Sequence, residues 1–243
     1  MMRAAAALAA AGTILIGAAG CETTQERSAK IALRLGHQNA IASTTKLGAV
    51  NRDVRVSETA LLSSGGETAV ALELTNTGSQ AQTDFPVLVD VVDAQGRSVY
   101  RNDTKGIEPS IQQLALLPAH ATAWWVDNDL LASGGVPKTV SATIGASTQS
   151  APATVPAITT KDIRASNSFP GPHVSVIVEN RSAIAQSQLP IYAVALSGGR
   201  VVGAGRGIVP GLAAGASTQV QVPMVGTVNG STISLTVPPT SLR

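Results

Sequence analysis

Val70-Ala-Leu-Glu-Leu-Thr-Asn76 and Val174-Ser-Val-Ile-Val-Glu-Asn180 are the two stretches on which the fold turns. In the first, Val70, Leu72 and Leu74 alternate with Ala71, Glu73 and Thr75, the period of a half-buried strand. In the second, Val174, Val176 and Val178 repeat that alternation against Ser175 and Glu179. Each stretch ends on Asn, which bonds its own backbone in turns and tolerates the left-handed region. Working outward, each is followed ten residues later by a proline, Pro86 and Pro190, flanked by Phe85 and Val87 in one case and Leu189 and Ile191 in the other. A proline at the start of the next strand loses least by lacking an N–H.

The parallel continues along the chain. Asp93-Ala-Gln-Gly96-Arg97 answers Ser197-Gly-Gly199-Arg200, with glycine where a tight hairpin needs positive φ. Leu117-Pro-Ala-His-Ala-Thr122 answers Leu212-Ala-Ala-Gly-Ala-Ser217, and Val140-Ser-Ala-Thr-Ile144 answers Ile233-Ser-Leu-Thr-Val237. Asp53-Val54-Arg55 and Asp162-Ile163-Arg164 read as matching openings. Six correspondences in order indicate a duplicated unit. A Ser/Ala/Pro stretch, Ala146 to Ala157, separates the copies as a semi-stiff spacer. The fold class is therefore all-β: two tandem immunoglobulin-like antiparallel β-sandwiches over 53–145 and 158–243, joined by the linker 146–157. About 90 residues and some seven strands per unit suit that architecture.

This pattern, a strand closed by Asn, a proline strand, D-x-x-G-R-x-V and Leu-x-x-Gly, is similar to FxLYD-type and related fibronectin-III-like domains of bacterial surface lipoproteins. Leu189-Pro-Ile-Tyr192 and Phe85-Pro-Val-Leu88 approximate the Phe-x-Leu-Tyr-Asp string, which is itself absent. The resemblance covers roughly residues 53–243. Its motifs are turn and core signals that imply a fold without implying an activity.

The N-terminus reads MMRAAAALAAAGTILIGAAGC. Arg3, an uncharged run from Ala4 to Ala19, and small residues before Cys21 are the parts of a secretory signal. The segment resembles a bacterial lipobox, with Ala18 where the family prefers Leu. That resemblance implies a signal peptide over 1–20, cleavage after Gly20 and lipidation of Cys21. A diacylglycerol plus an N-acyl chain exceeds the two-anchor threshold for stable membrane attachment. The run is short for a spanning helix, which needs about 20 apolar residues. Residues 21–52 then read as a polar tether, in which Glu26 to Leu35 allow a short helix.

Composition narrows the function classes. Charged residues are 13% and aromatics 2%, so the cores must be built from Val, Ile, Leu and Ala. From Cys21 onward, 16 Lys/Arg stand against 15 Asp/Glu, a net of +1. Without clustered basic residues, no nucleic-acid partner is expected. A single cysteine excludes an intramolecular disulfide. His37, His120 and His173 have no metal-ligand spacing, and His120 falls in a turn where the second copy has Gly215. Asp127-Asn-Asp129 lacks the glycine and distal Glu of a calcium loop. Gly203-Ala-Gly205-Arg-Gly207 opens no helix and reads as a flexible hairpin stretch rather than a phosphate cradle. No metal, no cofactor and no catalytic constellation is expected.

Two features set the first copy apart. Arg101 to Gln113 adds about eight polar residues where the second copy runs short, and Trp124 and Trp125 are the chain's two tryptophans. Neighbours on a strand point to opposite faces, so one Trp is expected in the core and the other on the outer surface, as a candidate partner contact. Packing on the tether or the other unit is the competing reading. The expected role is a non-enzymatic interaction or scaffold module, membrane-anchored through Cys21 on the extracytoplasmic face, with a protein or envelope-polymer partner. The alternative is an accessory solute- or polymer-binding lipoprotein serving a transporter or wall enzyme. A polar or aromatic cleft would favour the alternative, and an apolar patch around an exposed Trp the first.

Overall fold

The structure is a computed structural model and describes residues 47–104, 107–147, 149–152 and 154–243. Gly20, Cys21, His37 and the Glu26–Leu35 segment lie outside the described residues.

The described residues form fourteen strands: β1 (Val54–Ser64), β2 (Glu67–Asn76), β3 (Gln82–Val92), β4 (Ser98–Arg101), β5 (Gln113–Leu117), β6 (Thr122–Asp127), β7 (Thr139–Ile144), β8 (Ile158–Ser166), β9 (His173–Asn180), β10 (Gln186–Ser197), β11 (Arg200–Leu212), β12 (Ser217–Pro223), β13 (Val225–Gly226) and β14 (Thr232–Thr236). All named pairings are antiparallel. The first unit sets the sheet β1-β2-β6 against a sheet in which β3 pairs with β4, β5 and β7. The second sets β12-β9-β8 against β13-β11-β10-β14.

The pairings among β1, β2, β3, β6 and β7 recur among β8, β9, β10, β12 and β14. Val54 pairs with Asn76 and Ile158 with Asn180; Thr75 pairs with Thr122 and Glu179 with Ser217. Val92 faces Thr139 and Leu196 faces Thr232. The copies even share their anchor. Asn76 Nδ2 donates to the carbonyls of Gln80, Leu117 and Pro118, and Asn180 Nδ2 to those of Ile184, Leu212 and Ala213. Both Asn residues are buried, so each ties the end of one strand to the turn entering another. That turn needs a left-handed residue in both copies, His120 at φ 55° and Gly215 at φ 70°.

Three expectations are corrected. Pro86 and Pro190 stand inside β3 and β10, not at their starts. Two residues earlier Asp84 and Gln188 have positive φ and are skipped in the pairing register. One residue pair is skipped at each of these positions without a change of register, and pairing has resumed when the proline is reached. Asp53 and Asp162 are not equivalent: Asp53 precedes β1, whereas Asp162 sits at a mid-strand bulge with φ 53°. Residues 203–207 are the interior of β11 rather than a hairpin. There a Cβ on Gly205 would strike the Pro223 carbonyl oxygen, and one on Gly203 that of Thr227. Glycine is required because the 223–227 segment crosses β11 at backbone distance.

The extra loop of the first copy interrupts what is one strand in the second. Arg101 pairs with Asp90 and Gln113 with Pro86, while Ala204 pairs with Val194 and Ile208 with Pro190. Residues 102–112 thus replace residues 205–207. The buried Asn102 repairs the gap: its Oδ1 accepts from Val89 N–H at 2.8 Å, and its Nδ2 donates to the carbonyls of Val87 and Ile111.

Candidate functional site

Register assigns each side chain of the β1-β2-β6 sheet to a face. Leu72 lies opposite Trp125 and Val70 opposite Asp127, while Ala71 lies opposite Val126 and Glu73 opposite Trp124. The Leu72 and Trp125 side joins the first unit's own core, with Phe85, Val87 and Val89. The Ala71, Val126 and Trp124 side would face solvent in an isolated unit. Here it packs on Tyr192, Val194, Ala204 and Val225 of the second unit, all in one continuous apolar cluster. Trp124 N–H donates to Thr236 Oγ1 at 2.9 Å across the seam.

Trp124 and Trp125 are therefore both buried, at 5% and 0% exposure. The expectation of one Trp on the outer surface is corrected: alternation does send them to opposite faces, but both faces are covered. The molecule is four sheets deep along this line. β10 accordingly buries both its sides, Ile191 and Ala193 into its own core and Tyr192 and Val194 into the seam. The equivalent positions at the free ends are polar. Gln219 and Gln221 stand where the first unit has Trp124 and Val126, Ser175 where it has Ala71, and Asp90 where the second unit has Val194.

A buried polar cluster lies inside the first unit beside the seam. Tyr100 O–H donates to Asp127 Oδ2, and Asp129 N–H to Asp127 Oδ1 at 3.1 Å. From the second unit, Arg206, its side chain 8% exposed, reaches the extra loop, donating to Ser110 Oγ at 2.6 Å with Glu108 at 3.8 Å. Burial pushes the Asp127 carboxyl up, against the pull of Tyr100's hydroxyl and the Arg206 charge. Burial and the neighbouring Asp127 drive the Tyr100 hydroxyl up as well. Burial raises Tyr192 to about 12, opposed by Arg206. The Tyr192 hydroxyl, Arg206 Nε and Trp125 Nε1 are buried without a hydrogen-bond partner. Perturbed groups often mark active sites, but these three are buried, Asp127 and Tyr100 inside the first unit and Tyr192 in the seam, and structural ion-pair networks shift pKa values equally well.

The described residues also form an open groove of about 720 Å³ on the first unit, lined by Gln80, Gln82, Ser147, Gln149, Ser150 and Pro152. The linker makes one wall, held by Thr83 N–H to Ser147 Oγ at 3.0 Å and Thr83 Oγ1 to the Gln149 carbonyl at 2.6 Å. Gln82 Oε1 accepts from Asn51 Nδ2 and Ser147 Oγ, which turns its amide N–H₂ group away from both. The lining is amide and hydroxyl, with no charged side chain.

The remaining sequence candidates are scattered. His120 is exposed in its turn, and His173 shares a hydrogen bond with the Gly171 carbonyl at 2.8 Å. Asp127 is the buried end of β6 and accepts from Asp129 N–H, while Asn128 is half-buried and Asp129 exposed. Among the described residues no three of His, Cys, Asp and Glu are placed to hold a metal ion, and no helix is long and apolar enough to cross a membrane. The sequence reading missed Phe169, the most exposed large apolar residue described, at 90%. Its setting, Asn167-Ser-Phe-Pro-Gly-Pro172, was the available signal, since a Phe among turn formers has no strand face to bury it. Searches of protein-family models and of curated proteins return no match to this chain.

Proposed function

We propose that this chain is a lipoprotein, cleaved after Gly20 and anchored to a membrane through Cys21, that holds a non-enzymatic interaction or scaffold module on the extracytoplasmic face. The observation that carries the reading is the run from Arg3 through Ala4–Ala19 to the chain's single cysteine. Cys21→Ala should abolish incorporation of a radiolabelled fatty acid and release the protein from the membrane fraction. Labelling that persists in the variant sinks the anchor.

A second reading is favoured by the groove. Its amide and hydroxyl lining, with the Gln82 N–H₂ group turned away from its bonded partners, suits a neutral, hydroxyl-rich envelope polymer, so the chain would serve a transporter or wall enzyme by holding that polymer. Gln82→Ala together with Gln149→Ala should then weaken sedimentation with insoluble cell-wall material. Equal sedimentation of the two proteins sets this reading aside.

A further inference from the structure

Of six aromatic residues, five are buried: Phe85, Tyr100, Trp124, Trp125 and Tyr192. Phe169 alone projects, from the turn between β8 and β9. That turn is well tied. Gly171 N–H donates to the Ser168 carbonyl at 2.9 Å, Ser168 N–H to Ser166 Oγ at 3.1 Å, and Met224 N–H to the Pro172 carbonyl at 2.9 Å. The exposed ring is a fixed projection rather than a side chain awaiting burial.

Charge supplies an independent observation. Residues 53–145 hold five Lys/Arg against eleven Asp/Glu, a net of −6, while residues 158–243 hold six against two, a net of +4. In the second unit Lys161 and Arg181 pair with Glu179, and Arg206 is buried in the seam. Arg164 and Arg200 are exposed, with no ion pair to another described residue. Both stand toward the Phe169 end. Arg164 is two residues from the end of β8, and β10, which starts beside Asn180 at the far end of β9, returns to put the Ser197–Arg200 hairpin beside the tip.

We propose that this tip, Phe169 flanked by Arg164 and Arg200, enters the headgroup region of the anionic bilayer that carries the chain, an inference that rests on the lipoprotein reading. A bilayer accepts an isolated apolar projection without shape complementarity, whereas a protein partner needs a packed patch around the ring. Its negative surface potential matches the sign of this unit. Val54 pairs with Asn76 at the end of β2 away from Asp127, whose neighbour Asn128 donates to the Pro223 carbonyl beside the tip, so the tether joins at the end away from Phe169. The twenty-six residues from Cys21 to Lys46 reach at most about 90 Å, against about 30 Å for a nine-residue strand. The anchor thus lets the tip fold back on the membrane and holds it at high effective concentration.

The test supplies the anchor independently of acylation. The mature chain with Cys21→Ser and an N-terminal hexahistidine is recruited to vesicles bearing a nickel-chelating lipid, with phosphatidylglycerol in phosphatidylcholine. Asn167→Cys then carries an environment-sensitive nitrobenzoxadiazole dye. The expected result is a several-fold rise and blue shift in emission. Phe169→Ser should abolish it and Arg164→Gln with Arg200→Gln should diminish it. The same dye at Ala214→Cys, in the turn at the other end, should not respond. An aqueous spectrum at residue 167 overturns the proposal and leaves Phe169 to a protein pocket. An equal response at 214 overturns it as general apposition. Loss of fatty-acid labelling at Cys21 bears on the anchor alone.

Discussion

At the residue scale the chain relies on a few polar side chains buried with assigned partners. Asp127 is the most consequential, because the second copy has Val222 at its position. Its pKa is raised in the fold, chiefly by burial. A group raised above its unfolded value contributes stability below that value and loses it as pH climbs through the folded one. Asp127→Asn removes the titration, and the Tyr100 hydroxyl can rotate to accept from the new amide. The variant should match the native protein near pH 4 and gain on it progressively toward pH 8, read from urea midpoints. A variant that instead falls behind as pH rises would mean that the Arg206 charge outweighs the desolvation. Asn76 and Asn180 show how far sequence reaches at this scale. Turn propensity at a strand end was legible; the two distant carbonyls each amide serves, 32 to 42 residues away, were not, because propensity is local and the partner is set by topology. Trp124 is the same lesson, its face predictable from alternation and its cover not.

At the scale of elements, period two and turn chemistry made most strands legible, including the equivalence of β7 with β14 and of the turns at His120 and Gly215. What escaped was irregularity inside strands. A proline reads as a boundary unless the residue two before it is known to take a positive φ and drop out of the ladder, as Asp84 and Gln188 do. A glycine run reads as flexible unless a crossing segment is known to press on it. β11 offers a direct contrast between two of its glycines. Gly205→Ala places a methyl against the Pro223 carbonyl and the Met224 sulfur, and relief requires moving backbone. A loss of about 2–3 kcal/mol is expected, at the upper end for overpacking. Gly211→Ala meets open space and should change stability by less than about 0.5 kcal/mol. Equal effects in chemical denaturation would show that the 223–227 segment does not press on β11.

At the scale of the molecule, duplication was legible and mutual docking was not. Sequence gives each unit's faces; only the assembled fold shows that one unit's outer face is the other's partner. The copies have diverged where this matters. The faces that meet carry Trp124, Val126, Tyr192 and Val194, and the faces left outside carry Gln219, Gln221, Ser175 and Asp90. Two docked apolar faces with polar ends make a closed pair, much as capping repeats end a solenoid. The units should then unfold together. Truncating a buried Trp typically costs about 3–5 kcal/mol, and at Trp124 that loss falls on the coupling between units rather than within either core. Calorimetry of the native chain should give one transition whose calorimetric and van't Hoff enthalpies agree, and Trp124→Ala should split it into two. The isolated 158–243 fragment, with Tyr192 and Val194 uncovered, should self-associate unless those residues are made polar. Two transitions in the native chain, or an unsplit one in the variant with unchanged midpoint, would mean that the seam contributes contact without coupling.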